Sequence, residues 1–221
     1  MHKETYFTPE NIKSRSSEML ASLDFFRKHH GNIHFDPSCA ALLVLDMQDY
    51  FLRENSHAFI PSAPAIVPNI QSLIRIFRTK NRPVIFTSHV NTKDNAGMMG
   101  KWWKDIISED SEHKNIIQEF KLNNSVVINK AQYDAFWETS LGEILLSANV
   151  KQVIITGVMT HLCCDTTARS AFVQGYEVFF TVDGTATYNE SHHRATLLNL
   201  AHGFALPVSA EEVIIGFGKT N

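Results

Sequence analysis

The chain reads as an α/β protein with a doubly wound parallel sheet, and three observations carry that expectation. Six short apolar, β-branched runs recur along its 221 residues, longer stretches with helical spacing stand between them, and the alternation is regular. Near-continuous apolar runs suit strands covered on both faces, as a parallel sheet between helical layers requires.

The runs are AALLVL at 40–45, PVIFTS at 83–88, SVVIN at 125–129, QVIIT at 152–156, EVFFTV at 177–182 and FALPVS at 204–209. Ahead of the first, residues 8–30 open with Thr8, Pro9 and Glu10 and put Met19, Leu20, Leu23 and Phe26 on one side of a helix. Between the first two strands Ile66, Ile70, Leu73, Ile74 and Phe77 recur at three- and four-residue steps, the stripe of a crossover helix. Further stripes are Leu141, Ile144, Leu145 and Ala148; Ala168, Ala171 and Phe172; and Ala195, Leu198 and Ala201. One connection breaks the pattern. The 36 residues from 89 to 124 include Gly97, Met98, Met99, Gly100, Trp102 and Trp103 and a helically spaced stretch at 113–121; loops of that length often line a site or close over it. Residues 1–37 therefore read as a helical extension before one α/β domain at 38–221. Periodicity leaves the strand order open.

Composition narrows the partner. Hydrophobic residues at 44% and charged residues at 19% describe a globular chain, and a net charge of −3 offers nucleic acid or an anionic membrane no electrostatic attraction. No run approaches the ~20 apolar residues of a membrane span. A small molecule is the expected partner. Cys39 and the adjacent Cys163 and Cys164 make no disulfide framework, and the N-terminus lacks the apolar core of a signal peptide, so a reducing, cytoplasmic setting is expected. The first strand is followed by no Gly-x-Gly-x-x-Gly, and no phosphate-loop motif occurs, which speaks against nucleotide binding.

Three residues at strand ends could do chemistry. Asp46 ends the first run, at the carboxyl edge where open α/β sheets bind ligands. Cys163 follows the fourth strand at the expected start of a helix, whose free N–H groups would lower a thiol's pKa and hold an oxyanion. Lys130 follows the third run and could stabilise a thiolate. Position alone leaves Asp46 evenly divided between a chemical role and a loop cap, and favours a packed core thiol for the cysteine and a surface lysine for Lys130; their shared edge of one sheet is what favours a site.

In order and spacing, LLVLDMQDYF, INKAQYDAFWETSL and TGVMTHLCCDTTARSAF resemble the three motifs of the isochorismatase-like cysteine hydrolase superfamily, over about residues 38 to 215. The resemblance implies a three-layer α/β/α, Rossmann-like fold with a six-stranded parallel sheet in 3-2-1-4-5-6 order. It also implies a cis peptide between Val158 and Met159, catalysis by Asp46, Lys130 and Cys163, an oxyanion hole from the backbone N–H groups of Met159 and Cys163, no cofactor, and a homo-oligomer. Pocket candidates beside the motifs are Gln48, Phe51, His89, Tyr133 and Phe136, with Trp102 and Trp103 depending on where the long connection folds.

The implied reaction is hydrolysis of the C–N bond of a small amide through a thioester on Cys163. Metal-dependent nicotinamidases carry a histidine-containing ligand cluster soon after the aspartate, whereas DMQDYFLREN has no Asp-x-His; no metal is expected, and nicotinamidase drops in rank. THLCC and NESHHRATLLNLAHGFA are also similar to the true isochorismatases. A second expectation is therefore vinyl ether hydrolysis with Asp46 as acid and Cys163 inessential.

Overall fold

A computed structural model describes residues 2–103, 105–122 and 125–218, so Lys104, Asn123 and Asn124 of the long connection lie outside the described residues. Two N-terminal helices, α1 (Ile12–Ser22) and α2 (Asp24–His29), precede β1 (Ala40–Leu45), α3 (Asp49–Leu52), α4 (Ala63–Thr79) and β2 (Val84–His89). Next come α5 (Met99–Trp102), β3 (Val126–Lys130), α6 (Leu141–Ser147), β4 (Gln152–Val158) and α7 (Asp165–Val173). The chain closes with β5 (Glu177–Ala186), α8 (Glu190–Gly203), β6 (Leu206–Val208) and α9 (Ala210–Gly216). All six strands join one parallel sheet in the order β3-β2-β1-β4-β5-β6. Strand order reverses between β1 and β4, the switch point where such sheets open a crevice.

Every residue of β1, β2 and β4 is buried, which is why these strands read as unbroken apolar runs. The α4 stripe also matches: Ile66, Ile70, Leu73, Ile74 and Phe77 all face the sheet. Three expectations fail. In α8 the buried face is His193, Thr196, Leu197, Leu200 and Ala201, while Leu198 and Ala195 meet solvent. His193 is covered by the N-terminal arm, whose Tyr6 and Phe7 rings lie 5.3 and 5.4 Å from its ring. In α7, Phe172 is half exposed, with its ring edge-on to Phe204. The stretch at 113–121 forms no α-helix, because its backbone pairs sideways: Asp49 N–H donates to Asn115 O, Tyr50 N–H to His113 O and Ile117 N–H to Met47 O. Only a 3₁₀ turn, Gln118–Phe120, remains.

The N-terminal extension joins the same core. Phe7, Met19, Leu20 and Leu23 are buried with the sheet residues, and the Tyr6 and Phe7 N–H groups both donate to the buried Ser62 hydroxyl, at 3.0 and 3.1 Å. Among the described residues, no helix is long and apolar enough to cross a membrane.

A close backbone approach between β1 and β4 fixes one residue type. Gly157, paired with Leu45, has φ +112°, and a Cβ there would stand 2.0 Å from Leu45 O. Leu45 is backbone and cannot swing aside. Gly157→Ala is expected to cost at least about 2 kcal/mol, seen as a lower urea midpoint at unchanged slope. An unchanged midpoint would show that β1 and β4 can separate freely.

Candidate active site

Four neighbouring strands each deliver one polar side chain to the same sheet edge. Lys130 ends β3, His89 ends β2 directly opposite it in register, Asp46 follows β1, and Cys163 lies in the turn after β4. Asp46 adopts φ +51°, a left-handed conformation that aspartate tolerates better than most residues. Thr87 of β2 locks it there: Asp46 N–H donates to Thr87 Oγ1 at 3.1 Å, and that hydroxyl donates back to Asp46 Oδ1 at 2.6 Å.

Lys130 sits at the centre. Its Nζ lies 2.8 Å from Asp46 Oδ2, with both side chains fully buried, and 3.3 Å from Cys163 Sγ. It also lies 2.9 Å from Gln132 O and 3.3 Å from His89 Nδ1. Four acceptors thus surround three N–H groups. The tautomer of His89 follows from its other side. Asn91 Nδ2 donates to Ala131 O, so Asn91 Oδ1 accepts from His89 Nε2–H at 2.9 Å, leaving the Nδ1 lone pair facing Lys130. Burial, followed by the Lys130 charge, pushes the His89 pKa down to about 4, so the ring is neutral.

The charges of the trio follow from burial and mutual attraction. Burial opposes ionisation of Asp46, but the adjoining Lys130 ammonium outweighs it and holds the carboxyl below its ordinary range. Burial likewise opposes charge on Lys130, and Asp46 outweighs it in turn. For Cys163, burial and then the Asp46 charge push the thiol up, with Lys130 offsetting only part. The resting state is carboxylate, ammonium and thiol. This corrects the expectation of a helix-lowered thiol: Cys163 lies in a π-turn, Thr160–Cys164, one turn ahead of α7, and burial governs it.

The donor atoms of Asp46, His89 and Cys163 all lie within 4.8 Å of one another, a spacing that could hold a metal ion. The Lys130 ammonium already touches all three, so a metal there would have to displace a paired cation.

Behind Cys163 the turn is pinned by side chains. His161 Nδ1 meets Thr187 Oγ1 at 2.6 Å while its ring stacks on His192, and Thr160 Oγ1 meets His193 Nδ1 at 3.0 Å. The peptide between Val158 and Met159 is cis. Cys164 points the other way, fully buried in the core.

Cys163 and Met159 line a cavity of about 650 Å³ with mostly apolar walls. Phe51, His89 and Tyr133 line it too, whereas two other pocket candidates do not. Gln48 is a buried strut, donating to Ser88 Oγ, His89 O and Lys114 O and accepting from His89 N–H. Phe136 stacks on Tyr176 beside the core. The long connection does fold over the site: Met99, Trp102, Trp103 and Ile107 form one wall, and Trp103 Nε1–H donates to Tyr133 Oη at 2.7 Å. Nothing in the sequence marks Thr87 and Asn91, which hold Asp46 and His89, or Lys3, which lines the cavity. A threonine inside a strand and an asparagine in a loop carry no signal, and Lys3 lies far outside the motifs.

The isochorismatase domain model matches residues 40–212. Nicotinamidase 3 of Arabidopsis thaliana is 42% identical over 179 residues, spanning 79% of this chain and 86% of that protein. The isochorismatase of Bacillus subtilis (strain 168) is 30% identical over 185 residues, 81% of this chain and 58% of that one. Among solved structures, a cysteine hydrolase from Pseudomonas syringae pv. phaseolicola 1448A superposes with a TM-score of 0.80 at 24% identity, covering 83% of this chain and 94% of that one. The N-carbamoylsarcosine amidase of Thermoplasma acidophilum gives 0.69 at 21% identity, over 78% and 96%. The domain match and the level of identity to curated relatives establish that this chain belongs to the isochorismatase family of hydrolases.

Proposed function

We propose that the protein hydrolyses the C–N bond of a small carboxamide through a thioester on Cys163. The observation that carries the reading is the Lys130 ammonium lodged between a buried carboxylate and the thiol of Cys163, which lines a mostly apolar cavity. The 42% identity to a nicotinamidase returns nicotinamide, ranked low on the missing Asp-x-His, to the head of the substrates to test.

In this mechanism the Asp46 carboxylate takes the Cys163 proton as sulfur attacks the amide carbon, so the thiolate exists only as the new bond forms. Lys130, with more acceptors than N–H groups, shifts its donation toward the sulfur as negative charge develops there. The Met159 and Cys163 N–H groups hold the tetrahedral oxyanion. Protonated Asp46 then gives its proton to the departing amine as the C–N bond breaks. Water, deprotonated by the same carboxylate, attacks the thioester; the acid leaves and the thiol re-forms. Phe51 and Tyr133 are the ring contacts, and His89 keeps the ammonium in place. Three thiols without a disulfide fit a cytoplasmic setting, and the reading includes a homo-oligomer, which sedimentation of the purified chain would measure.

The competing chemistry, vinyl ether cleavage with Asp46 as acid, makes no use of the thiol. Cys163→Ala is expected to lower ammonia release from nicotinamide on the order of 10⁴-fold or more, whereas isochorismate turnover that survives the substitution would support the competitor. Because Asp46 ionises below and Lys130 above their ordinary ranges, kcat/KM should vary by less than about threefold between pH 6 and 9. A sigmoid centred near neutrality would place a histidine in the proton transfer instead. Alkylation of the Cys163 peptide by iodoacetamide, followed by mass spectrometry, should keep rising with pH through pH 9; a plateau near neutrality would mean a resting thiolate.

A further inference from the structure

The arm formed by residues 2–7 lies outside the segment matched by the family model, yet it reaches the catalytic cavity. Its course is fixed at several points. Glu4 N–H donates to Tyr188 O at 2.9 Å, Glu190 N–H donates to the Glu4 carboxylate at 2.6 Å, and Tyr6 Oη accepts from Thr187 N–H at 3.0 Å. These contacts lay the arm along the segment that also pins the Cys163 turn through His161.

The arm thereby carries Lys3 into the cavity wall. The Lys3 Nζ donates to His57 O at 2.6 Å and to Phe59 O at 2.8 Å, and stands 4.6 Å over the Tyr188 ring. Two of three N–H groups are thus spent on fixing the ammonium, and burial lowers its pKa. Nearby, the Asp105 carboxylate faces His57 Nδ1 at 3.5 Å, and Tyr50 Oη meets His57 Nε2 at 3.1 Å. A cation held in place at the edge of a largely apolar cavity is a preorganised donor.

We propose that Lys3 is a substrate-binding residue that selects amides carrying a hydrogen-bond acceptor, a ring nitrogen or a carboxylate, remote from the bond to be cut. The inference rests on the cavity being the substrate site of the proposed amidase. Ammonium geometry serves either acceptor, and three ligands sharing one ring and one carboxamide separate them. Nicotinamide has a ring nitrogen, 3-carbamoylbenzoate a carboxylate, and benzamide neither.

Calorimetric titration of the full chain bearing Cys163→Ala, which prevents turnover, reads binding alone. One or both acceptor-bearing amides should bind at least about tenfold more tightly than benzamide, and Lys3→Met, which keeps the apolar stem, should erase that margin while leaving benzamide unchanged. Lys3→Gln, retaining neutral N–H donors, should keep part of the margin and guards against a displaced arm. Equal binding of all three ligands, a margin that survives Lys3→Met, or an equal loss for all three would each overturn the proposal; the last would make Lys3 a strap. Ammonia release by the wild type is scored separately: its absence with the margin intact would count against the amidase reading alone, and its presence without the margin against Lys3 alone.

Discussion

The Asp46–Lys130 ion pair is the contact on which the rest of the site depends. Neither side chain meets solvent, and a lone charge so placed would neutralise itself rather than stay ionised. The pair persists because each charge is also supported by hydrogen bonds, from Thr87 on one side and to Gln132 and His89 on the other. Removing one partner of such a pair typically costs about 3–5 kcal/mol. Activating a thiol by charge alone would require a cation without a closer anion, and here Asp46 claims most of the Lys130 field. The cysteine therefore rests as a thiol beside the Asp46 carboxylate.

The fold makes this arrangement by topology. Because β3, β2, β1 and β4 are consecutive neighbours, four residues scattered from position 46 to 163 arrive within one small volume. Gly157 lets β4 close on β1, and the turn that follows presents Cys163 while sending Cys164 into the core. Part of the cavity wall comes from elsewhere: the long connection after β2 supplies Trp102 and Trp103, and the N-terminal arm supplies Lys3.

Much of the sheet was legible because its strands are buried on both faces, which leaves a plain apolar signal at β1, β2 and β4. Helices were legible where one apolar stripe faces the sheet, as in α4. In α8 the stripe misled, since burial there is decided by a distant arm whose Tyr6 and Phe7 cover His193. The stretch 113–121 misled for a similar reason: its spacing suits a helix, but its backbone groups find partners at 47–50. Asp46, Lys130 and Cys163 stood out through motif and strand-end position. Gln48, equally close to a motif, turned out to hold β2 and the 114 loop together, because an amide with four partners in reach is a strut. Thr87 and Asn91 act through hydrogen bonds that no spacing rule announces.

The measurement closest to the central claim is rapid acid quenching of the enzyme during turnover of nicotinamide, with mass analysis of the peptide that carries Cys163. A thioester on Cys163 predicts that this peptide gains the mass of the acyl group, with Cys164 on the same peptide unmodified and the adduct lost on treatment with hydroxylamine. Steady turnover with the peptide unmodified, under quenching fast enough to catch a single cycle, would contradict it and make Cys163 part of the pocket wall.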